Sequence, residues 1–312
     1  MAESASTPDY DVAIVGGGPA GLSAAVVLGR SRRRVVLFDD GKPRNYAAHG
    51  VHNYLGHEGI APNALRQLGR NAARHYGVEL LDARVVAARR LAGDGDAAGG
   101  FQVQTSDRSF IVRALLLCTG LMDGLPDIPN LREFYGRSVH HCPYCDGWEQ
   151  RDKLLAALGD GEHATKLALS LLTWSKDVTA CTNGEPLAEK HRRLLDRHGV
   201  TCREESIIRL KGKDGALEEI MFTTGPPLKC DAVFFSSDKV QRSPLPAMLG
   251  CEIDDEGLAR TGKRQTTCIN GLYLAGDADG DAQFAIVAAA EGATAGTAIN
   301  AALQKLDLAA DD

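Results

Sequence analysis

Short apolar stretches and closely spaced glycines alternate in the amino-terminal part of the chain, and this pattern predicts the first elements. Residues 10–15 form an apolar run, residues 16–21 include four glycines, and residues 22–28 have helical character. A second apolar run at residues 34–38 ends at Asp39. The order of strand, tight turn, helix and second strand is that of a βαβ unit, so we expect a parallel sheet.

The glycine-rich turn indicates a dinucleotide site. In a G-x-G-x-x-G turn the backbone N–H groups approach a pyrophosphate at the helix N-terminus, and an acid after the second strand binds a ribose hydroxyl. The positions of this pattern are filled by Gly16, Gly18, Pro19, Ala20, Gly21 and, as the acid, Asp39. Because the motif stands in the required strand–turn–helix–strand context, we favour nucleotide binding over a purely structural turn.

A β-hairpin region is predicted after this first unit. Residues 94–100 are rich in Gly, Asp and Ala and predict a surface loop. Residues 101–105 then alternate between apolar and polar side chains, and residues 110–118 are a further apolar strand.

The same order recurs from residue 153 onwards. An apolar strand at 153–158 precedes a turn whose small positions are Gly159, Gly161 and Ala164, and helical residues 165–173 lead to a strand at 177–181. The following residues, 182–185, offer neither an acid for a ribose diol nor an arginine for a 2′-phosphate at the usual place. Two interpretations stay open here: a working nicotinamide nucleotide site, or a nucleotide-binding fold retained as a scaffold.

Two breaks rich in Pro, Gly or Ser, at residues 121–129 and 243–246, indicate crossings between domains. The tail returns to strand and helix at 271–277 and 282–304, which is too little for a third domain. We therefore predict an α/β protein with two Rossmann-like dinucleotide-binding domains, the second inserted into the first. The first domain is predicted to comprise residues 1–118 and 246–312, and the second residues 119–245.

Among eight cysteines, only Cys142 and Cys145 are closely paired, and two intervening residues allow their sulfurs to meet in a redox disulfide. Zinc would need a second ligand pair of similar spacing, which the chain lacks, so no metal is predicted. Asp146 follows the pair and would move the proton of thiol–disulfide exchange or cap a helix. His140 and His141 are interpreted as surface histidines rather than catalysts.

Composition narrows the protein class. The 312 residues are 44% hydrophobic and 24% charged, as in a globular protein of one large or two modest domains. A net charge of −6 excludes the basic surface of a nucleic-acid binder. No apolar run approaches the roughly 18 residues of a membrane helix, and residues 1–10 resemble no targeting peptide. We therefore expect a cytoplasmic protein with no nucleic-acid or membrane partner.

Together these segments resemble the short thioredoxin reductases, which are flavoprotein disulfide oxidoreductases with two dinucleotide folds. The resemblance rests on residues 16–21, 118–120 and 142–147 and on Gly276-Asp277 with Gln283 after them. It implies FAD in the first site and a homodimer. It also implies flavin contacts at Asn53, Thr119, Gly120, Gly276, Asp277, Gln283 and Phe284, with Asp277 at the ribityl chain and the helix from about Gln283 near the isoalloxazine ring.

Two departures from thioredoxin reductases point to the branch of gliotoxin- and holomycin-type dithiol oxidases. Thr182-Asn183-Gly184 replaces a His-Arg-Arg run, and Pro143-Tyr144 replaces small or polar residues between the cysteines. The extended segment 141–149 is the main support for this branch, and NAD(P)H binding stays open.

The resemblance implies an FAD-dependent dithiol–disulfide oxidoreductase acting on a small-molecule or protein substrate. Cys145 would face the flavin, Cys142 would exchange with the substrate sulfur, and Asp146 would serve as acid and base. Both directions remain open: oxidation of a dithiol at the expense of oxygen, or reduction of a disulfide by NAD(P)H. A flavin redox sensor or partner-binding protein without turnover is the alternative.

Overall fold

The computed structural model describes residues 7–92, 99–280 and 283–310. Most of the predicted loop at 94–100 and the predicted start of the last helix at residue 282 lie outside the described residues.

Seventeen strands and eight helices are described in these ranges. The strands are β1 (Tyr10–Val15), β2 (Val35–Phe38), β3 (Glu79–Leu81), β4 (Ala87–Arg90), β5 (Phe101–Gln104), β6 (Ser109–Leu117), β7 (Leu121–Asp123), β8 (Val139–His140), β9 (Leu155–Leu158), β10 (Val178–Cys181), β11 (Thr201–Arg203), β12 (Ile207–Lys213), β13 (Ala216–Phe222), β14 (Leu228–Lys229), β15 (Ala232–Phe235), β16 (Lys239–Gln241) and β17 (Leu272–Leu274). The helices are α1 (Pro19–Arg30), α2 (Pro62–His75), α3 (Leu131–Phe134), α4 (Pro143–Asp146), α5 (Gly161–Leu171), α6 (Glu189–Arg197), α7 (Leu245–Leu249) and α8 (Ala285–Ala310).

The chain divides into two compact units. The first unit comprises Met1–Tyr46, Asn53–Met122 and Lys239–Asp312, and the second comprises Ala47–His52 and Asp123–Asp238. The second unit is therefore an insertion in the first, and the predicted α/β class with two dinucleotide-type folds is confirmed.

The chain passes between the two units at residues that differ from the predicted boundaries after residues 118 and 245. β7 pairs with β16, and the Arg242 N–H donates to the Gly120 carbonyl at 3.2 Å, so residues 119–122 and 239–245 fall in the first unit. The short segment 47–52 falls in the second unit, because Ala47 lies against Gly136, where an added Cβ would be 2.3 Å from the Ala47 carbonyl oxygen.

The first unit is built on a seven-stranded sheet in the order β3-β2-β1-β6-β5-β4, with β17 also paired to β6. β3, β2, β1, β6 and β17 run parallel, whereas β4, β5 and β6 form the predicted antiparallel hairpin region. The long strand β6 serves both parts: Phe110–Val112 pair with β5, and Leu115–Leu117 pair with β17.

α1 and α8 cover one face of this sheet and approach each other closely. An added Cβ at Gly292 of α8 would lie 1.9 Å from the Ala20 carbonyl oxygen of α1. Ala24, Ala25, Ala295 and Ile299 are fully buried in the cluster of apolar residues that the two helices share with the sheet. Small side chains thus allow contact between the two backbones.

The composition of α8 bears on the expectation that no apolar run approaches the length of a membrane helix. Among the described residues, one helix, Ala285–Ala309, is long and apolar enough to cross a membrane by length and composition. Its apolar character is explained by its packing on α1, because Ala288, Ala295, Ile299 and Leu303 are buried in the core of the first unit.

The second unit repeats the parallel plan with five strands in the order β11-β10-β9-β15-β8. A separate antiparallel sheet, β12-β13-β14, joins it. Helix α5 begins at Gly161, four residues earlier than the sequence predicts, because the Asp160 side chain accepts a hydrogen bond from the His163 N–H and caps the helix.

Gly292→Ala is expected to destabilise the protein by about 1–3 kcal/mol, because the two helix backbones must separate to admit the methyl group. The better helix propensity of alanine offsets only part of this cost. Urea unfolding measures the effect. Thr294→Ala, on the exposed side of the same helix, should change stability by no more than about 0.5 kcal/mol. A Gly292→Ala protein as stable as the wild type would contradict the close helix contact.

Candidate functional site

The glycine turn after β1 is shaped by backbone contacts that no other residue would permit. Gly16 has a φ of 119°, and an added Cβ would lie 2.0 Å from the Cys118 carbonyl oxygen. An added Cβ at Gly21 would lie 1.9 Å from the Gly16 carbonyl oxygen. Gly18 instead meets nothing within 4 Å, and it begins α1 without a side-chain cap. The positive end of α1 is therefore open to an anion such as a pyrophosphate.

Asp39 lies next to this turn, but its carboxylate is already engaged. An added Cβ at Gly17 would lie 2.2 Å from Asp39 Oδ2. That oxygen accepts hydrogen bonds from Arg66 Nη2 at 2.6 Å and Arg70 Nη1 at 3.1 Å, while Oδ1 accepts from the Gly41 N–H at 3.0 Å. The ribose contact predicted for Asp39 must therefore share the carboxylate with two arginines, whose spacing of four residues on α2 is the sequence signal for them.

A second polar cluster in the first unit joins two of the predicted flavin contacts through an unpredicted residue. Arg44 Nη1 donates to Asp277 Oδ2 at 2.9 Å and to Gln283 Oε1 at 2.7 Å. Arg44 lies in an irregular segment, where neither periodicity nor a motif marks it.

Three buried polar atoms among the described residues of this unit have no hydrogen-bond partner: Thr119 Oγ1, Gln241 Oε1 and Gln283 Nε2. Thr119 and Gln283 are predicted flavin contacts. A buried donor or acceptor without a partner is costly, and a polar ligand at these two residues would satisfy them. An open helix N-terminus for phosphates and unsatisfied polar atoms at predicted flavin contacts fit FAD. The remaining predicted contacts lie in the same unit: Asn53 with a φ of 60°, Gly120 with a φ of 65°, Gly276, and the half-buried Phe284.

The turn of the second unit has the opposite electrostatic character. The Asp160 carboxylate lies at the N-terminus of α5, where its Oδ1 accepts from the His163 N–H at 3.1 Å. The hydrogen bond with the His163 side chain lowers the pKa of Asp160, so this carboxylate is charged at neutral pH. Glu162 adds a second acid in the first turn. These groups occupy the helix end where the pyrophosphate of a nicotinamide nucleotide would bind.

The arginines near this turn are held by acids. Arg192 pairs with Glu204, and Arg193 Nε lies 2.7 Å from Glu189 Oε1. In the segment after β10, the Thr182 hydroxyl donates to the Glu185 carbonyl, and Asn183 Oδ1 accepts from the Ile207 N–H at 2.7 Å. Neither arginine is directed by these contacts to the predicted position of a 2′-phosphate.

Cys142 and Cys145 form a disulfide, with their Cα atoms 5.2 Å apart. Cys142 also begins the short helix α4, and its Sγ accepts from the Cys145 N–H at 3.1 Å. Tyr144 between them is 67% exposed and packs edge-on against Trp174. Trp148 is 65% exposed, with the Arg151 guanidinium 4.2 Å from its ring centre. The redox pair predicted from the spacing is therefore bonded and flanked by exposed aromatic rings.

His140 is not the surface residue that the sequence suggested, because only 4% of it is exposed. Its Nδ1 lies 3.3 Å from Asp146 Oδ1, and its Nε2 lies 3.1 Å from the Arg137 carbonyl oxygen. His141 is half-buried, with its Nδ1 3.1 Å from the Tyr135 hydroxyl. The apolar Val139 before His140 gives the only sequence signal for the buried strand β8.

The other six cysteines are free thiols in the structure. Burial raises the pKa of Cys181 to about 12 and that of Cys202 to about 11, so both stay protonated at neutral pH. Across residues 7–92, 99–280 and 283–310, no three His, Cys, Asp or Glu side chains cluster in a way that could hold a metal ion. Among the described cysteines, Cys142 and Cys145 are the two joined in a disulfide.

Comparisons with known proteins identify the family of this chain. Residues 10–292 match the pyridine nucleotide-disulphide oxidoreductase family. A probable thioredoxin reductase of Arthroderma benhamiae is 30% identical over 87% of this chain and 74% of its own length. Thioredoxin reductase tcpT of Claviceps purpurea is 31% identical over 86% of each chain.

Two solved structures are similar over nearly the full length. The structure of HlmI has a TM-score of 0.91 and 34% identity, covering 96% of this chain and 94% of its own. A putative thioredoxin reductase TrxB of Bacillus anthracis has a TM-score of 0.89 and 31% identity, covering 96% and 99%. These relatives support the branch indicated by the cysteine segment. The chain belongs to the pyridine nucleotide-disulphide oxidoreductase family and is a thioredoxin reductase-like oxidoreductase with FAD as its cofactor.

Proposed function

We propose that this enzyme is a dithiol oxidase: a substrate dithiol reduces the Cys142–Cys145 disulfide, and the electrons leave through FAD to dioxygen. The observation that carries this direction is the charged Asp160 carboxylate at the N-terminus of α5. A negative group at that position repels the pyrophosphate of NAD(P)H and already satisfies the helix N–H that would bind it. A dithiol donor needs no nucleotide site.

The exchange half-reaction needs no reactant besides the substrate dithiol and the Cys142–Cys145 disulfide. One substrate sulfur, as thiolate, attacks Cys142 Sγ and breaks its bond to Cys145, which leaves as a thiolate. The second substrate sulfur then attacks the first, forms the substrate disulfide and releases Cys142. The substrate loses two electrons, and the enzyme disulfide gains them. Asp146, directly after Cys145, is the acid and base that moves the proton of the second thiol.

Bound FAD would supply the acceptor for these two electrons, and dioxygen would be reduced to hydrogen peroxide. The residues that would hold FAD are those of the first unit. The open N-terminus of α1 would bind the phosphates, and Arg44 orients Asp277 and the Gln283 amide. Because Gln283 Oε1 accepts from Arg44, its Nε2 is turned away from Arg44 as a buried donor that needs an acceptor.

The NAD(P)H-linked reductase remains the second candidate, favoured by the thioredoxin reductases among the relatives. Gly159 and Gly161 preserve the turn of the second unit. A Cβ added at either glycine would have no neighbouring atom closer than 3.0 Å. The substrate is proposed to be a small-molecule or protein dithiol, and the homodimeric state and cytoplasmic location stay predictions for size-exclusion chromatography and fractionation.

Arg44→Ala is expected to weaken FAD binding by about 10- to 100-fold, since a hydrogen bond to a charged group contributes roughly 1.5–3 kcal/mol. Asp277 would lose its cationic partner, and the Gln283 amide its orientation. Titration of the apoprotein with FAD, followed by flavin fluorescence, gives the dissociation constant. Arg89→Ala removes an exposed arginine of β4 in the same unit and should bind FAD as the wild type does. Equal affinity in Arg44→Ala would show that Arg44 has no part in the site.

The direction of electron flow is tested by mixing oxidised holoenzyme with dithiothreitol, NADH or NADPH in a stopped-flow instrument. Dithiothreitol should bleach the flavin rapidly, and oxygen should restore it with formation of hydrogen peroxide. Both nucleotides should reduce the flavin slowly and without a strong preference for either. Asp160→Asn keeps the helix cap but removes the charge, so it should speed up reduction by both nucleotides. Fast, saturable reduction by micromolar NADPH would instead establish the reductase.

The two cysteine variants should behave differently, because only one sulfur exchanges electrons with the flavin while the other meets the substrate. Cys142→Ser leaves the Cys145 thiolate, and we expect a long-wavelength charge-transfer band in its visible spectrum. Cys145→Ser should lack that band. The spectra are recorded with the flavin oxidised and the remaining cysteine as a free thiol, with Cys202→Ser as a control for a thiol outside the pair. Identical spectra for the two variants would refute the assigned order.

A further inference from the structure

The imidazole of His140 is fixed in orientation by contacts on three sides. His140 ends β8, which pairs with β15, so its ring lies against Phe234 with 5.2 Å between ring centres. Nε2 contacts the Arg137 carbonyl oxygen at 3.1 Å, and Nδ1 contacts Asp146 Oδ1 at 3.3 Å. With only 4% of the residue exposed, water cannot replace these partners.

The Arg137 carbonyl determines which ring nitrogen holds hydrogen. A carbonyl oxygen only accepts, so the 3.1 Å contact requires an N–H at His140 Nε2. The Gln150 amide nitrogen lies 3.4 Å from both Nε2 and the same carbonyl, and Gln150 Oε1 accepts from Lys153 at 2.9 Å. If Nε2 instead accepted from Gln150, its lone pair would face the Arg137 oxygen at the shorter distance, which is repulsive.

The 3.3 Å contact between His140 Nδ1 and Asp146 Oδ1 is within ion-pair distance but is not a hydrogen bond. With Nε2 protonated, a neutral imidazole presents only a lone pair at Nδ1, and an ionised carboxylate presents only lone pairs as well. The contact is attractive only when one of the two groups carries an additional proton. In a buried site, loss of that proton leaves two acceptors facing each other.

We propose that His140 is the positioning residue that gives Asp146 its proton, so that the pair acts as one acid–base unit for the Cys142–Cys145 disulfide. This inference rests on the proposed dithiol exchange. The pair gives its proton to Cys142 Sγ as that sulfur leaves the mixed disulfide, and it recovers one from the second substrate thiol. The pair is thus unchanged after each exchange, and Asp146, which follows Cys145 in the chain, is the member that exchanges the proton with sulfur.

Few other charged groups face the pair. Phe234 of β15 provides an apolar surface, and the Lys153 ammonium reaches Gln150. On the same stretch of chain, His141 lies 3.9 Å from Asp123, and Glu149 lies 3.7 Å from His52. Because these ionisable groups lie nearby, a change in pH dependence has to be assigned by a variant of His140 itself.

The test is the anaerobic rate at which dithiothreitol reduces the disulfide and flavin of the holoenzyme, for wild type, His140→Gln, Asp146→Asn and the double variant. Each single variant should slow the exchange by about 100-fold or more. The double variant should be no slower than the slower single variant, because the two residues act as a unit. His140→Gln should also displace the acid limb of the pH–rate profile, whereas His198→Gln, at an exposed site of the same unit, should leave rate and profile unchanged.

The proposal would be overturned if the rate losses of the two single variants multiplied in the double variant. An unchanged pH–rate profile in His140→Gln would overturn it as well. If the buried variant fails to fold, nitrogen NMR of histidine-labelled wild-type holoenzyme decides: Nε2 of His140 should keep its hydrogen at every pH, and a tautomer protonated only at Nδ1 would refute the inference. If the dithiol exchange shows the expected variant effects but the enzyme does not turn over with oxygen, the proposed oxidase function is wrong and the role of the His140–Asp146 pair stands. If dithiothreitol does not reduce the wild-type disulfide, both the oxidase function and the role of the pair are wrong.

Discussion

In the first unit, strand ends and helices approach each other to distances that no side chain could occupy. Gly16 lies against the Cys118 backbone, Gly21 against Gly16, and Gly292 against Ala20. These contacts bring α1 onto the end of β1 with its first turn uncovered and fix α8 across α1. Close packing of this kind tolerates little added volume. The geometry of the phosphate-binding end of α1 therefore depends on the absence of three side chains.

The two units use one plan of strand, turn and helix with different charge at the start of the helix. The residue before α1 is Gly18, with open space beside it, whereas the residue before α5 is the charged Asp160, with Glu162 in the first turn of the helix. A helix N-terminus attracts an anion through its unpaired N–H groups and its dipole, and a capping carboxylate satisfies both. The same fold thus leaves a helix end open to an anion in the first unit and an internally satisfied helix end in the second.

The disulfide centre combines a half-buried sulfur pair with a buried histidine. Tyr144 and Trp148 are exposed beside the cysteines, while His140, two residues before Cys142, is enclosed between β15 and the backbone of Arg137. Exchange with a substrate needs access to sulfur, whereas control of a proton needs exclusion of water. The turn into α4 meets both needs within seven residues, because the chain leaves the buried strand β8 immediately before the cysteine pair.

The local pattern of the sequence determined a large part of this protein. The apolar run at residues 10–15, the glycines that follow and the spacing of Cys142 and Cys145 are short-range features, and β1 and the disulfide appear where they predict. α1 is also present, but it begins at Pro19, three residues before its predicted start. The start of α5 and the crossings between the units moved by several residues, since a side-chain cap and the pairing of β7 with β16 decided them.

Only the tertiary structure decided the contacts between residues that are distant along the chain. It also decided the burial of residues such as His140, which depends on strands distant in sequence. Arg44 meets Asp277 across 233 residues, and Asp39 is engaged by arginines from α2. His140 is polar and adjacent to a second histidine, so its sequence context suggested an exposed residue. It is buried because β8 adds to the sheet beside β15, and that pairing depends on hydrogen bonds between segments almost one hundred residues apart. No local pattern records such a pairing, whereas glycine spacing and cysteine spacing express constraints that act within a single turn of the chain.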